Sequence, residues 1–252
     1  MGISVLRKIR KAVRNLPSLL RGYSLYLNPD KLRLIDHVFR TLAPEAQRFA
    51  DLGGVWRVHG GYALYTVRTY PVTEGILVDT DYPESVKRSL GRQPRLHVIQ
   101  GDFGAEEVAT QVGKVDVLYF FDVLLHQANP DWNEVLALYA DLARCVVIYN
   151  QQYIGADTTI RLTDLPLEKY MEMASDARPE VYRYIYEHKR DLHPEYGKPW
   201  GDIHNISQWG ITDSDLRSVM ENLGYREVYF GNYGRFAGLP AFEEHGFVFQ
   251  KP

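Results

Sequence analysis

Four aspartates end or follow apolar runs that read as strands. They are Asp51 in "FADLGG", Asp79 in "ILVDTD", Asp102 in "VIQGD" and Asp122 in "LYFFDVLLH". In an open parallel sheet, ligands bind at the carboxyl ends of the strands, near the point where the strand order reverses. Taken singly, each aspartate is explained as well by a helix cap or a loop residue. Their common position at strand ends predicts one ligand-binding edge.

The order of these residues indicates what the ligand is. A carboxylate after the second strand, Asp79, can accept hydrogen bonds from both vicinal hydroxyls of a ribose, and such charge-assisted bonds contribute roughly 1.5–3 kcal/mol each. Asp102, after the third strand, can accept from the exocyclic amine of adenine. Gly53 and Gly54 allow the backbone to approach the ligand. These glycines lack G-x-G-x-x-G spacing, and no Lys-Ser or Lys-Thr follows them, so an adenosine without a pyrophosphate is predicted.

Two histidines are candidates for a general base, which a hydroxyl or protonated amine acceptor would require. His126 follows the fourth strand, and His204 lies in "GDIHNISQWGIT"; a structural histidine and a surface-loop residue are the respective alternatives. Gln208 and Trp209, in the same segment, are candidates for a substrate wall, although Trp209 is equally explained as a core aromatic. The histidines show no H-x-x-x-H or H-E-x-x-H spacing, so no metal site is predicted.

The elements that must position these residues alternate regularly. Strand-like and helix-like segments follow one another from about residue 45 to 155, which predicts a parallel sheet with helices on both faces. "NPDWNEVLALYADLAR" predicts a helix with Asn129 as N-cap and Pro130 as its first residue. "TDSDLRSVMENLGY" predicts a second helix, capped by Thr212 or Asp213 and ended by Gly224. Two further strands follow it.

The remaining segments define the domain organisation. We expect an N-terminal helical segment over residues 1–44 and one domain over 45–252. A polar, tyrosine-rich helical insertion interrupts that domain at about 160–200. Its tyrosines are candidates for a lid over the substrate, but the near-alternate ones cannot share one helix face; the tyrosines concerned are Tyr170, Tyr182, Tyr184, Tyr186 and Tyr196.

Composition narrows the class of protein. The chain has 252 residues, 45% hydrophobic and 24% charged, which is typical of a globular protein, and no apolar run approaches the ~18 residues of a membrane span. The single cysteine, Cys145, lies in the apolar run "CVVIY"; it suits a buried position and a reducing cytoplasm. We therefore expect a cytoplasmic protein.

Charge is distributed unevenly along the chain. Residues 1–21 contain six basic residues and no acid, which leaves 23 basic against 32 acidic side chains elsewhere, a net charge of −9. The acidic body argues against nucleic-acid binding. The basic start has helical apolar spacing, with two interpretations: a helix packed on the domain or forming a lid, or a helix that binds an anionic membrane surface or a partner protein.

Taken in order, these motifs resemble the class I S-adenosylmethionine-dependent methyltransferases. "FADLGG" is similar to the first motif of that family, "GILVDTD" to the second, "QGDF" to the third and "VDVLYFFDVLLHQ" to the fourth. The closing helix and two strands resemble the family's ending. The resemblance covers about residues 45–155 and 205–252. It implies a seven-stranded Rossmann-like sheet, mostly parallel with an antiparallel last strand, and S-adenosylmethionine as cofactor. The cofactor-binding residues it implies are Asp51, Gly53, Gly54, Asp79, Asp102, Phe103 and Asp122.

The first loop departs from the family's pattern. The family reads acid-x-Gly-x-Gly-x-Gly, whereas Gly53 and Gly54 are adjacent here and the next pair is Gly60 and Gly61. This predicts an insertion, "VWRVH", on the cofactor or substrate side. The expected reaction is methyl transfer to a small molecule, such as a sugar or a secondary metabolite. The alternatives are a non-catalytic methyltransferase-like partner protein and a nicotinamide-dependent enzyme. The acceptor atom and the oligomeric state stay open.

Overall fold

A computed structural model describes residues 27–174, 179–204, 206–236 and 238–252. Its strands are β1 Arg48–Leu52, β2 Glu74–Asp79, β3 Leu96–Gln100, β4 Val115–Phe121, β5 Ala143–Tyr153, β6 Ile160–Arg161, β7 Trp209–Gly210, β8 Arg226–Arg235 and β9 Phe242–Gln250. Its α-helices are α1 Pro29–His37, α2 Gly61–Thr69, α3 Glu84–Leu90, α4 Glu106–Val112, α5 Trp132–Tyr139, α6 Leu167–Met173, α7 Pro179–Glu187 and α8 Asp213–Asn222. The basic segment over residues 1–21 lies outside the described residues, so its contact with a membrane or a partner stays a prediction.

Seven strands form one sheet in the order β3-β2-β1-β4-β5-β9-β8. The strands β1 to β5 are mutually parallel, and β9 runs antiparallel to both β5 and β8. The strand order reverses between β1 and β4, because β2 and β3 continue to one side and β5 to the other. The predicted Rossmann-like sheet with an antiparallel last strand is therefore confirmed.

Helices cover both faces of this sheet, as strand-helix alternation predicts. One apolar layer joins α1, α2 and α3 to the sheet through residues such as Ile35, Ala63 and Val86. The other joins α4, α5 and α8 through residues such as Val108, Leu136 and Leu216. Parallel strands buried on both faces read as continuous apolar runs, and β4 is buried at six of its seven positions.

The segment between β5 and α8 forms a smaller layer with its own apolar cluster. Its short strands β6 and β7 pair with each other. Tyr170 and Tyr182 are buried in the cluster, whereas Tyr184 and Tyr196 are about half exposed. The tyrosines of α7 thus point to different sides, as their spacing requires; their role as a lid stays a prediction.

The helix ends show one wrong prediction. The helix α5 begins at Trp132, and its N-cap is Asp131, which forms a reciprocal capping box with Glu134. The backbone of Asn129 has a φ of +55°, which is not the extended conformation of an N-cap. A capping box satisfies two backbone N–H groups, so it defines the start of the helix more strongly than Asn129 with Pro130. Thr212, one of the two residues predicted to cap α8, is its N-cap, and Asn28 caps α1.

Candidate functional site

Asp51 and Asp122 flank the reversal of strand order at the carboxyl ends of β1 and β4. Asp51 is the fourth residue of β1 and pairs in register with Tyr119 of β4. Asp122 follows β4 directly, with a φ of +55°. We call the region where β1, β2, β3, β4 and β5 end the carboxyl edge. Because open α/β sheets bind ligands at this reversal, the two aspartates mark the centre of the candidate site.

Asp51 is a fully buried carboxylate. Among the described residues, neither of its oxygens has a hydrogen-bond partner of good geometry. Burial, and secondarily the charge of Asp79, raise its pKa to about 7, while Lys31 and the backbone N–H of Ala63 oppose the rise. A buried acceptor without a partner is costly, so Asp51 retains two oxygens that a ligand can engage.

The glycines after β1 shape the floor of the site. Gly53 has a φ of +72°, and a Cβ there would lie 2.7 Å from Val123 Cγ1 and 3.3 Å from Phe103 Cε1. A Cβ on Gly54 would overlap the Asp51 carboxylate. Glycine at both positions therefore brings the first loop, Phe103 and the chain after β4 into contact.

Asp79 connects the first loop to the end of β2. Its Oδ2 accepts from the backbone N–H of Val55 at 2.8 Å and of Trp56 at 3.4 Å, and its Oδ1 accepts from the backbone N–H of Thr80 at 2.8 Å and of Asp81 at 3.4 Å. Burial raises the pKa of this carboxyl, and the backbone hydrogen bonds oppose the rise. The "VWRVH" half of the loop therefore folds as a turn beside Asp79, and Gly61 begins α2 immediately after it.

Asp102 and Phe103 lie just beyond β3. Asp102 Oδ1 accepts from Gly104 N–H at 2.9 Å, and Asp102 Oδ2 lies 3.3 Å from Nδ1 of His204. Phe103 is buried, and its carbonyl accepts from the Tyr139 hydroxyl at 2.8 Å. The described structure thus connects Asp102 to His204, a contact that the sequence did not indicate.

The two candidate bases differ in their hydrogen bonds. Nδ1 of His126 lies 2.7 Å from the carbonyl oxygen of Ile206. A carbonyl only accepts, so Nδ1 carries the proton and Nε2 keeps its lone pair. Burial lowers the pKa of His126, which favours this neutral form. Both nitrogens of His204, by contrast, have polar neighbours: Nδ1 lies 3.3 Å from Asp102 Oδ2, and Nε2 lies 2.9 Å from Ala128 O and 3.3 Å from Lys198 Nζ.

Gln208 and Trp209 are engaged with the backbone. Gln208 is fully buried, and its Nε2 donates to Gly201 O at 2.6 Å and to Ile203 O at 3.3 Å. The indole N–H of Trp209 donates to Gln127 O at 2.6 Å. The Trp209 bond joins the segment before α8 to the chain after β4, whereas the side-chain bonds of Gln208 lie within that segment. Their predicted part in a substrate wall stays a prediction.

Lys31 is a charged residue of this site that sequence reasoning missed. Its side chain is 8% exposed and forms an ion pair with Asp122 Oδ2. The ammonium lies 5.1–5.6 Å from the ring centroids of Tyr62, Phe121 and Tyr149, within the range of cation–π attraction. The available signal was its spacing, because Lys31 precedes Leu34 and Ile35 by three and four positions and so lies on the apolar face of α1.

The described residues were predicted to hold no metal site and no membrane span, and their side chains and helices bear on both points. They include no group of three or more histidine, cysteine, aspartate or glutamate side chains placed to hold a metal ion. None of the helices described is both long enough and apolar enough to pass through a bilayer.

Comparison with known proteins places the fold. No family model matches the chain, and no curated protein matches its sequence. An O-methyltransferase family protein from Burkholderia thailandensis is similar with a TM-score of 0.51 and 15% identity, over 87% of this chain and 55% of that chain. The N-terminal domain of EvdMO1, determined in the presence of SAH and D-fucose, has a TM-score of 0.55 and 14% identity, over 87% of this chain and 83% of that one.

A third solved structure covers nearly the whole chain. It is the 1,6-didemethyltoxoflavin-N1-methyltransferase of Burkholderia thailandensis, with a TM-score of 0.53 and 12% identity, over 98% of this chain and 88% of that chain. The chain spans about half the length of the O-methyltransferase family protein. These likenesses establish the fold, which is the Rossmann-like fold of the class I S-adenosylmethionine-dependent methyltransferases.

Proposed function

We propose that this protein transfers a methyl group from S-adenosylmethionine to a small polar acceptor. The observation that carries the proposal is the fully buried carboxylate of Asp51 at the reversal of strand order, which has no hydrogen-bond partner of good geometry among the described residues. A protein that only needed stability would gain by replacing such a group with an apolar one. A ligand with hydrogen-bond donors would compensate for it.

The residues around Asp51 fit an adenosine that carries an amino-acid chain. Asp79 lies at the end of β2, and its two oxygens already accept from four backbone N–H groups. The two bonds at 3.4 Å, from Trp56 and Asp81, are the weak ones that ribose hydroxyls would replace. Asp102, just beyond β3, would accept from an adenine amine, and the Phe103 ring lies against Gly53. Asp51 would accept hydrogen bonds from the ammonium of the amino-acid chain. Nothing in this set requires a phosphate.

When bound, S-adenosylmethionine supplies an electrophilic methyl group on its sulfonium. The protein's task is then to hold the acceptor in line with that methyl group and to exclude water. In favourable models, positioning of this kind corresponds to effective molarities of about 10⁵–10⁸ M. Tyr62, Phe121 and Tyr149 surround the Lys31 ammonium with aromatic rings and so contribute dry walls to the site.

His126 is proposed to take the acceptor's proton. Its Nδ1–H is directed at the Ile206 carbonyl, which leaves the lone pair on Nε2. Burial lowers its pKa, so the neutral base is the form present at pH 7. Nitrogen-15 NMR of the imidazole checks this directly: we expect a neutral ring protonated at Nδ1. A ring protonated on both nitrogens at pH 7 would exclude His126 as the base.

Buried amides at the end of β5 support a polar acceptor. Asn150 and Gln152 are at most 1% exposed and share one face of the strand. The Oδ1 of Asn150 and both side-chain polar atoms of Gln152 have no hydrogen-bond partner among the described residues. Amides both donate and accept, which suits hydroxylated compounds such as sugars. EvdMO1, similar in fold, was studied with D-fucose.

Isothermal titration with S-adenosylhomocysteine tests the proposal. We expect wild-type protein to bind it and Asp79→Ala to bind about 10- to 100-fold more weakly, through the loss of one charge-assisted hydrogen bond. Asp81→Ala is the matched control, because Asp81 is an exposed acid on the same loop. Absence of binding by the wild type, or equal affinities of all three proteins, would contradict the proposal. A rise in melting temperature with NAD or NADP would instead support a nicotinamide-dependent enzyme.

A further inference from the structure

The Lys31 ammonium acts on three acidic groups at the carboxyl edge and on the neighbouring strand β9. It pairs with Asp122, and its charge lowers the pKa values of both Asp51 and Glu244 against the effect of their burial. Glu244 also accepts a hydrogen bond from the Tyr149 hydroxyl at 3.0 Å. One ammonium therefore lies near three carboxyl groups, and its single positive charge cannot neutralise all of them.

The hydrogen bonds of this cluster are incomplete in a specific way. Both oxygens of Asp51 and the Oδ1 of Asp122 lack hydrogen-bond partners of good geometry among the described residues, so three acceptor atoms are available. Lys31 has three N–H donors, and its hydrogen bond in the described structure is to Asp122 Oδ2. A group that brings an ammonium and a carboxylate together would complete both sets.

We propose that Lys31 binds the carboxylate of the cofactor's amino-acid end, while Asp51 and Asp122 bind its ammonium. This assignment rests on the proposed function, since it takes S-adenosylmethionine and S-adenosylhomocysteine as the ligands. It gives α1, which precedes the first strand, a direct part in ligand binding. The helix supplies the positive charge of a site whose negative charges come from Asp51 and Asp122. Asn28 supports this placement, because it caps α1 and its Nδ2 donates to the Tyr149 hydroxyl at 3.2 Å.

The arrangement of the ammonium favours binding over a purely structural ion pair. A lysine that served only to neutralise Asp122 would not need three aromatic rings around it or a carboxylate beside it with no hydrogen-bond partner. The rings exclude water and thereby strengthen the attraction between Lys31 and an incoming carboxylate. Their flat faces also hold the ammonium in place without competing for its donors.

A comparison of three ligands with two proteins tests the assignment. The ligands are S-adenosylhomocysteine, its decarboxylated analogue S-adenosyl-3-thiopropylamine, and 5′-methylthioadenosine, which lacks the amino-acid end. Their affinities for wild type and Lys31→Met are measured by isothermal titration. We expect Lys31→Met to weaken S-adenosylhomocysteine about 10- to 100-fold and to change the other two less than about threefold. Lys87→Met, a half-exposed lysine of α3, is the control and should change none of them.

Each other outcome has a definite meaning. Equal weakening of all three ligands would show that Lys31 is only structural, and tighter binding of S-adenosylhomocysteine would show that the ammonium competes with the ligand; either result overturns the assignment. If Lys31→Met does not fold, Lys31→Arg replaces it: the wild-type preference for S-adenosylhomocysteine over the decarboxylated analogue must then persist. Wild-type protein that binds none of the three ligands refutes the proposed function and, with it, this assignment. Wild-type binding without any effect at Lys31 refutes the assignment alone.

Discussion

The centre of the carboxyl edge and the segment before α8 treat their buried polar groups in opposite ways. At the centre, Asp51 is fully buried with neither oxygen in a hydrogen bond of good geometry among the described residues. In the segment before α8, Gln208 is equally buried, but its amide donates to two backbone carbonyls. Both regions are polar, and sequence reasoning selected both as candidate sites.

The hydrogen bonds of a buried polar side chain therefore distinguish a ligand-binding role from a structural one. An engaged polar group stabilises the fold, and its removal leaves its partner unsatisfied. An unpartnered buried group makes the fold less stable, so the natural reason to keep it is a ligand. Changes in the two regions should therefore act on different quantities: ligand affinity and pH dependence at Asp51, and unfolding free energy at Gln208.

The largest effect is expected from Asp51→Asn, through the pH dependence of stability. Burial raises the folded pKa of Asp51 to about 7, above an unfolded value of about 3.9. The folded state therefore holds a proton that the unfolded state releases. The contribution of this proton to the free energy of unfolding is fully present below about pH 4 and is lost as the pH rises through 7. The three-unit shift corresponds to at most about 4 kcal/mol, and Asp51→Asn should remove that part of the slope.

Urea unfolding from pH 4 to pH 8 measures this slope. Asp79 and Glu244 also have raised pKa values and add slopes of the same sign, so only the difference between wild type and variant is assigned to Asp51. Asp141→Asn, at a fully exposed carboxylate, should retain the wild-type slope. If Asp51→Asn also retained the wild-type slope, Asp51 would be ionised at low pH in the folded protein. Its carboxylate would then be stabilised within the fold, as the amide of Gln208 is.

An intermediate effect is expected from Gln208→Met. Methionine has a similar volume and no strong donor, so the carbonyls of Gly201 and Ile203 lose a partner. We expect a loss of about 1–3 kcal/mol in unfolding free energy, and affinity for S-adenosylhomocysteine within twofold of wild type. Gln111→Met, at an exposed position of α4, should change stability by less than about 0.5 kcal/mol. If Gln208→Met had wild-type stability, the hydrogen bonds of Gln208 would not stabilise the fold, and the contrast between Gln208 and Asp51 would fail.

Much of the fold could be predicted from the sequence, because its signals are local. The sequence shows directly the apolar runs that form β1 and β4 and the acids that end them. Once the strands are parallel, Asp51 and Asp122 must lie at the same edge. The start of α5 was also legible: the spacing of Asp131 and Glu134 is that of a capping box, and the prediction of Asn129 gave it too little weight.

What the sequence did not reveal depends on contacts across the fold. Lys31 lies 91 residues from its partner Asp122, and only the packing of α1 on the sheet brings them together. The connection between Asp102 and His204 likewise requires the segment before α8 to return to the end of β3. Whether the amide of Gln208 forms hydrogen bonds depends on the positions of backbone carbonyls, which the pattern of apolar residues in the sequence does not reveal. Residue type therefore predicted the candidates, but not which of them were free to bind.

The smallest effect, and the finest test of the comparison, is at Thr212. This buried hydroxyl caps α8 by accepting from the backbone N–H of Asp215 at 3.3 Å. Because the hydroxyl is engaged, Thr212→Ala should cost about 1 kcal/mol of unfolding free energy and leave affinity for S-adenosylhomocysteine unchanged. Thr212→Ser keeps the oxygen and should restore most of the loss. Ser218→Ala, at an exposed site on the same helix, should be neutral or slightly stabilising. A loss of ligand affinity in Thr212→Ala without a loss of stability would show that the capped end of α8 belongs to the binding region, and the boundary between the two regions would then lie elsewhere.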